Sequence, residues 1–235
     1  MNLQQLKQTA FIGDAYLRGP IRGIVMVFHG LGSAGMKEGL ESNELEWAGR
    51  GGLIVFPYTG PWHWSLGPVR AFIDDVIGSV REHYCGGRDV PIVLTGGSLG
   101  GHTALIYARY SRHRLAGCMV NCPVGDVEFS FNERPDVPRT ILAAANWKTE
   151  SLPALFRELS PLHQVEHMPD IPYLIIHGAK DTAVAKAAHS DPLVPKMRAR
   201  GLKVEFIEAQ QMGHCGPFTY EIHRKWVDFV LKLLE

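Results

Sequence analysis

The sequence carries no excess of either charge: 24 lysines and arginines balance 24 aspartates and glutamates. Without a net field or a basic stripe it has nothing to attract nucleic acid or anionic lipid, so neither is an expected partner. No apolar run approaches the roughly 20 residues that cross a bilayer. The opening stretch, Met1 to Gln8, lacks the apolar centre of a signal peptide. Cysteine is sparse, with only Cys85, Cys118, Cys122 and Cys215, and their spacing fits neither a disulfide framework nor a paired CxxC zinc site. Cys118 and Cys122 fall in the apolar stretch Leu115 to Cys122 and read as buried thiols acting as small hydrophobes. These absences predict a reduced, cytoplasmic protein with no metal and no cofactor. Internal repeats and low-complexity linkers are also missing, so residues 1–235 read as a single domain.

What is present is a substantial core, with 46% hydrophobic residues. Short apolar runs recur at Ile21–Phe28, Gly52–Phe56, Pro91–Thr95, Leu115–Asn121, Ile171–His177 and Lys203–Glu208. Most do not alternate with polar residues, which predicts strands covered on both faces. Helix-like segments lie between them at Glu38–Gly49, Pro68–Tyr84, Leu99–Tyr110, Pro192–Arg200 and Pro217–Leu234. The alternation predicts an α/β fold, a mostly parallel twisted sheet with helices on both sides. Functional groups in such sheets collect in loops at the carboxyl ends of strands. One proline-rich stretch, Pro123 to Asp170, breaks the rhythm without an obvious strand and is expected to form a small lid over those ends.

Gly96-Gly97-Ser98-Leu99-Gly100 directly follows the strand Pro91–Thr95 and opens the helix-like Leu99–Tyr110. A serine on so tight a strand-to-helix turn needs glycine around it, because the backbone is strained and side chains would clash where strand and helix cross. Its Oγ is thereby pushed out above the sheet. Two further strand ends supply partners. Tyr173–His177 runs into Gly178-Ala179-Lys180-Asp181, and the last strand is followed by Met212-Gly213-His214-Cys215-Gly216. The chain order is Ser98, Asp181, His214: Ser98 as nucleophile, His214 as its base, Asp181 to orient and stabilise the imidazolium. The glycine-rich turn His29-Gly30-Leu31-Gly32-Ser33 ends the first strand, and the N–H groups of Leu31 and Leu99 are candidate oxyanion donors.

Asp191 is a rival acid, but an aspartate followed by Pro192 and a periodic segment reads as a helix N-cap. Asp181, four residues past the strand end, is the stronger candidate. His163-Gln164-Val165-Glu166-His167 matches the inverted zinc-protease pattern HxxEH. Pro161 and Pro169 bracket it closely, so a short amphipathic helix is the expectation rather than a zinc site. Asp74, Asp75 and Glu82 read as a solvated helix face. Trp62, Trp64 and Trp147 are placed in loops, where they pack the core edge or line a substrate pocket. As pocket walls they favour aromatic or medium-sized apolar acyl groups.

Taken in order, HGLGS, GGSLGG, HGAKD and MGHCG resemble the α/β-hydrolase superfamily across nearly the whole chain. From Gly97 onward the sequence is most similar to the catalytic domain of prolyl oligopeptidase-type serine hydrolases. It shares the serine elbow, the Ser160-Pro161 segment, the HGxxDxxV loop from His177 to Val184 and a terminal GH. The resemblance implies Ser98, Asp181 and His214 as the triad, with Leu31 and Leu99 at the oxyanion hole. It departs from those peptidases in lacking room for a large N-terminal propeller, since residues before Ile21 are expected to give at most a short leading strand or helix. Dienelactone hydrolase-like enzymes are similar in length but carry cysteine at the elbow. The expected activity is therefore that of a serine carboxylesterase on a small-molecule ester. A small-substrate peptidase or amidase is the alternative, and a non-catalytic ligand-binding protein of the same fold the reading from another class.

Overall fold

Fully buried apolar segments form the centre of the molecule. The computed structural model describes residues 1–33 and 35–235. Its seven strands are β1 (Ala10–Ile12), β2 (Gly23–Phe28), β3 (Gly52–Pro57), β4 (Ile92–Gly97), β5 (Gly117–Asn121), β6 (Tyr173–Gly178) and β7 (Val204–Ala209). They make one sheet in the order β1-β3-β2-β4-β5-β6-β7. All neighbours are parallel except β1, which runs antiparallel to β3 with Ala10 opposite Pro57. The six strands expected from the apolar runs are all present. The N-terminal segment supplies both a helix and a strand, one more element than expected: α1 (Leu3–Thr9) leads straight into β1. Asn2 and Gln5 close a capping box at the start of α1, a reciprocal pair that stabilises so short a helix.

Successive strand residues go to opposite faces. Ile24, Met26, Ile92, Leu94, Cys118, Val120 and Ile175 join one core, while Val25, Val93, Met119, Leu174 and Ile176 join the other. The first core is covered by α1, α3 (Gly67–Cys85), α4 (Leu99–Tyr110) and α9 (Ser190–Ala199), the second by α2 (Ser42–Gly49) and α10 (Tyr220–Leu234). This double cover is why the strands read as continuous apolar runs. Two helices begin later than their apolar pattern suggested because capping decides the start. Glu41 accepts from Glu44 N–H while its own N–H donates to Glu44 Oε2, and Thr219 Oγ1 accepts from Ile222 N–H. Asp74 is a correction: it is buried in α3, where it accepts from the Tyr107 hydroxyl at 2.6 Å and pairs with Arg112.

Between β5 and β6 the chain forms α5 (Val127–Glu133), α6 (Val137–Ala144), α7 (Leu152–Leu159) and α8 (Pro161–Gln164), with no strand among its described residues. Val127, Val137, Ile141, Phe156 and Leu159 build a small core of their own against Trp64, Leu99 and Val184. Three polar anchors tie it down. Trp64 Nε1–H donates to Thr140 Oγ1 at 3.0 Å, and His102 Nε2–H donates to the Leu159 carbonyl at 2.8 Å. His189 Nδ1 accepts from the Gly125 and Asp126 N–H groups at 3.2 Å each. Burial pushes the His102 imidazole down to about 4, so it serves as a neutral donor.

Strand order sets the position of the site. The chain leaves β2 for β3 on one side and leaves β4 for β5 on the other. The carboxyl ends of β2 and β4 therefore open onto the crevice where connections diverge, the place where such sheets bind ligands.

Candidate active site

Ser98 sits at the sharpest point of the β4–α4 turn, with φ 56° and ψ −124°. A non-glycine residue there costs about 1–3 kcal/mol, and the surrounding packing enforces it. A Cβ on Gly100 would lie 2.1 Å from the Phe28 carbonyl oxygen, so only glycine lets α4 start this close to β2. Ser98 N–H donates to the Asn121 carbonyl at 2.9 Å, fastening the turn to the end of β5.

The two residues paired with Ser98 by spacing are beside it. The Ser98 hydroxyl donates to His214 Nε2 at 2.9 Å, and His214 Nδ1–H donates to Asp181 Oδ2 at 2.8 Å. Each side chain stands on its own loop, after β4, β6 and β7. Asp181 is held from behind: its Oδ1 accepts the N–H groups of Ala183 and Val184, each at 2.9 Å. His177, fully buried at the end of β6, lies 3.4 Å from Asp181 Oδ2. Its Nε2–H is shared with the Val184 carbonyl at 2.9 Å, while Nδ1 accepts from Ser190 Oγ at 2.6 Å. Burial opposes the charge on Asp181, but these hydrogen bonds from His177, His214 and Val184 outweigh it and hold the carboxyl well below its usual range. The hydrogen bond to Asp181 in turn raises the His214 imidazole to about 9, with the Cys122 thiol and the Asp181 charge adding to the effect.

Asp191 plays no part in this chain of contacts, and its expected capping role is also corrected. The helix α9 starts at Ser190 with His189 as N-cap, and the Asp191 carboxylate is claimed by Lys186 Nζ at 2.6 Å. Leu99 is the first residue of α4 and Leu31 follows the end of β2. Among the described residues neither N–H has a protein acceptor, which leaves both free for a substrate oxygen.

A cleft of about 620 Å³ opens above Ser98, lined by Gly30, Leu31, Trp62, His214, Arg134 and Arg139 among others. A second, smaller hollow of about 10 Å³ lies beside Ser98 and is walled by Trp64, Leu99, Val124, Val137 and Val184. Of the three tryptophans, Trp62 borders the cleft and Trp64 is buried as a wall of the small hollow. Trp147 does neither: it is 64% exposed on the turn after α6, outside the cleft lining. The arginines had no sequence signal, because Arg134 comes from the connection between α5 and α6 and Arg139 from the short helix α6. A cavity of 650 Å³ at the amino ends of β4 to β6 contains no triad candidate.

His163 and His167 are divided between α8 and a 3₁₀ turn, Val165–His167, so they do not share one continuous helix. Among the described residues, two groups have ligand-like spacing: Cys122 with His214 and Cys215, and Cys122 with His177 and Asp181. No described helix is long and apolar enough to cross a membrane.

The fold recurs in known proteins. Acylaminoacyl peptidase from Pyrococcus horikoshii superposes with a TM-score of 0.77 at 16% identity, over 96% of this chain and 39% of that one. An S-formylglutathione hydrolase from Agrobacterium tumefaciens superposes with a TM-score of 0.70 at 17% identity, over 96% and 87% of the two chains. A puromycin-hydrolyzing peptidase from Mycobacterium tuberculosis gives 0.73 at 16% identity, over 92% and 34%. The chain spans about two fifths of the length of the acylaminoacyl peptidase. No curated protein sequence matches it. The doubly covered sheet and its neighbours define an α/β-hydrolase fold. Residues 83–235 match the profile of the prolyl oligopeptidase family. The chain belongs to that family, and so to the serine hydrolases.

Proposed function

We propose that the protein is a serine carboxylesterase that cleaves small esters through an acyl-enzyme. The observation that carries this reading is the continuous hydrogen-bonded chain Ser98–His214–Asp181, with links of 2.9 and 2.8 Å delivered by three separate loops. In this scheme Ser98 Oγ attacks the ester carbonyl as His214 Nε2 takes its proton. Asp181 holds the imidazole with Nδ1 protonated and stabilises the imidazolium. The developing oxyanion receives the N–H groups of Leu31 and Leu99, the latter at the positive end of α4. His214 then returns the proton to the departing alkoxide, and a water repeats the sequence to release the acid. No step requires a metal or cofactor.

We place the acyl group in the hollow beside Ser98. At about 10 Å³ it holds roughly one water-sized group, which suits a short acyl chain and not the aromatic or medium-sized one suggested by tryptophan content. The Pro123 to Asp170 segment acts as the lid, contributing Val137 to the hollow and Arg134 and Arg139 to the cleft. A second reading, cleavage of small amides, is favoured by membership of the prolyl oligopeptidase family.

Turnover of p-nitrophenyl esters of graded acyl length, beside aminoacyl amides, tests the proposal. Short esters should be cleaved fastest, and Ser98→Ala should abolish both turnover and fluorophosphonate labelling while leaving the circular dichroism unchanged. Amide turnover exceeding ester turnover would favour the second reading. Absence of ester turnover and of labelling in the wild type would remove the esterase reading altogether.

A further inference from the structure

We propose that Cys122, Cys215 and His214 form a binding site for a thiophilic divalent cation of the zinc and cadmium class. Occupancy of that site would switch the enzyme off reversibly. Cys122 follows the end of β5 and Cys215 follows His214 directly, so two loops bring the thiols to the base. The two Sγ atoms and an imidazole nitrogen all lie within 4.8 Å of one another. Tetrahedral coordination with S and N bonds of about 2.3 and 2.0 Å places ligand atoms roughly 3.5–3.8 Å apart. The three donors therefore need to close by at most about 1.3 Å, a distance within reach of side-chain rotation.

Other details suit the role. All four cysteines are free thiols. Cys122 is fully buried and held by Cys215 N–H, which donates to its Sγ at 3.4 Å, whereas Cys215 is exposed. One ligand is thus fixed while the other stands on the route of entry. Both residues adopt left-handed backbone conformations, with φ 46° and 47°. That region is unfavourable for residues with a side chain, and strain of this kind collects where side-chain placement matters. Two sulfurs and one imidazole select soft or borderline cations over magnesium or calcium, which prefer oxygen.

On binding, the two thiols lose their protons to solvent, and the cation accepts two thiolate lone pairs and one imidazole lone pair. No electron is transferred, and a water fills the remaining position. The inhibition rests on the reading of His214 as the base. Its two nitrogens are already committed to Ser98 and Asp181, so coordinating either one dismantles the proton path.

Titration of the metal-free protein with cadmium, followed by thiolate-to-metal charge-transfer absorbance, reads the site without using turnover. The expected result is saturation at one cadmium per chain with an intensity for two thiolates. Zinc should abolish ester turnover and a chelator should restore it. Cys215→Ser should retain ester turnover, halve the absorbance and require at least about tenfold more zinc, since losing even an outer-shell partner weakens binding by 10–100-fold. Absence of a thiolate band overturns the proposal, as does a Cys215→Ser enzyme with wild-type zinc sensitivity. If the chain shows no turnover, the esterase reading fails while the cadmium titration still decides the site.

Discussion

The carboxyl edge of the sheet and the Pro123 to Asp170 segment face each other across one cleft, but they are built differently. On the sheet side, Ser98, Asp181 and His214 stand within a few residues of β4, β6 and β7, and backbone hydrogen bonds of buried strands set their separations. On the other side, four helices of four to eight residues hold together through a small apolar core. They reach the scaffold through Trp64, His102 and His189. An inner strand of this sheet cannot shift without breaking ladders on both sides, and the edge strand β7 is paired with β6 along its whole length, so the sheet suits groups that must stay aligned. Side-chain anchors on a separate small core allow replacement or movement of the helices without disturbing that alignment. On the proposed function, the chemistry falls to the rigid edge and selectivity to the docked helices.

The largest effect should come from the rigid side. Asp181→Asn should lower kcat by about 10⁴-fold, the scale seen when a triad carboxylate is neutralised in place. It should also lower the melting temperature at neutral pH, because the hydrogen bonds that hold the carboxyl below its usual range stabilise the fold. The pH profile of the chelator-treated enzyme separates this from a general loss of structure. Because Asp181 favours the imidazolium, His214 is raised from 6.5 to about 9. Only neutral imidazole accepts the Ser98 proton, so kcat/KM should rise with pH along an acid limb lying above 6.5. Removing the carboxylate charge should move that limb downward. A limb in Asp181→Asn that stays put would mean another group sets the imidazole's charge, and the assignment of Asp181 would fall.

A smaller effect, on stability, should come from the docked helices. Trp64 is buried at 1% exposure, and its Nε1–H donates to Thr140. Trp64→Ala should cost about 3–5 kcal/mol in denaturant titration, the usual range for truncating a buried tryptophan. Amide hydrogen exchange tells where that loss falls: it should accelerate in residues 127–159 far more than in β2, β4 or β5. Uniform acceleration would make the insertion part of one cooperative core and erase the distinction drawn above.

The same division explains what could be read from the sequence. Strands covered on both faces announce themselves as apolar runs, and Ser98 and His214 are marked by the glycine-rich turns that carry them. Asp181 could be preferred over Asp191 because distance from a strand end is a local property. The N-cap of α9 was not legible, since Lys186 reaches forward to Asp191 and leaves His189 at the helix start. Nor was the burial of Asp74, which depends on Tyr107 in another helix. In the insertion each helix is too short to show a period, so neither the exposure of Trp147 nor the arrival of Arg134 and Arg139 at the cleft had a local sign. In the sequence Cys122 reads only as a buried small hydrophobe and Cys215 has no separate reading, because their meeting depends on the loop after β7 reaching the end of β5.

The smallest effect is the most direct test of where selectivity resides. Val137 belongs to α6, walls the hollow beside Ser98 and has no polar group to offer the triad. Val137→Ala removes two methyl carbons from that wall and enlarges the hollow toward the acyl group. One methylene in an apolar pocket changes discrimination by about 10-fold at the low end. The ratio of kcat/KM for butanoyl over acetyl esters should therefore rise by about that factor. The acid limb of the pH profile should stay where it is, because nothing near His214 has changed. A ratio that does not move would mean the acyl group lies elsewhere in the cleft. The docked helices would then shape access to Ser98 without reading the substrate, and selectivity would return to the sheet side with the chemistry.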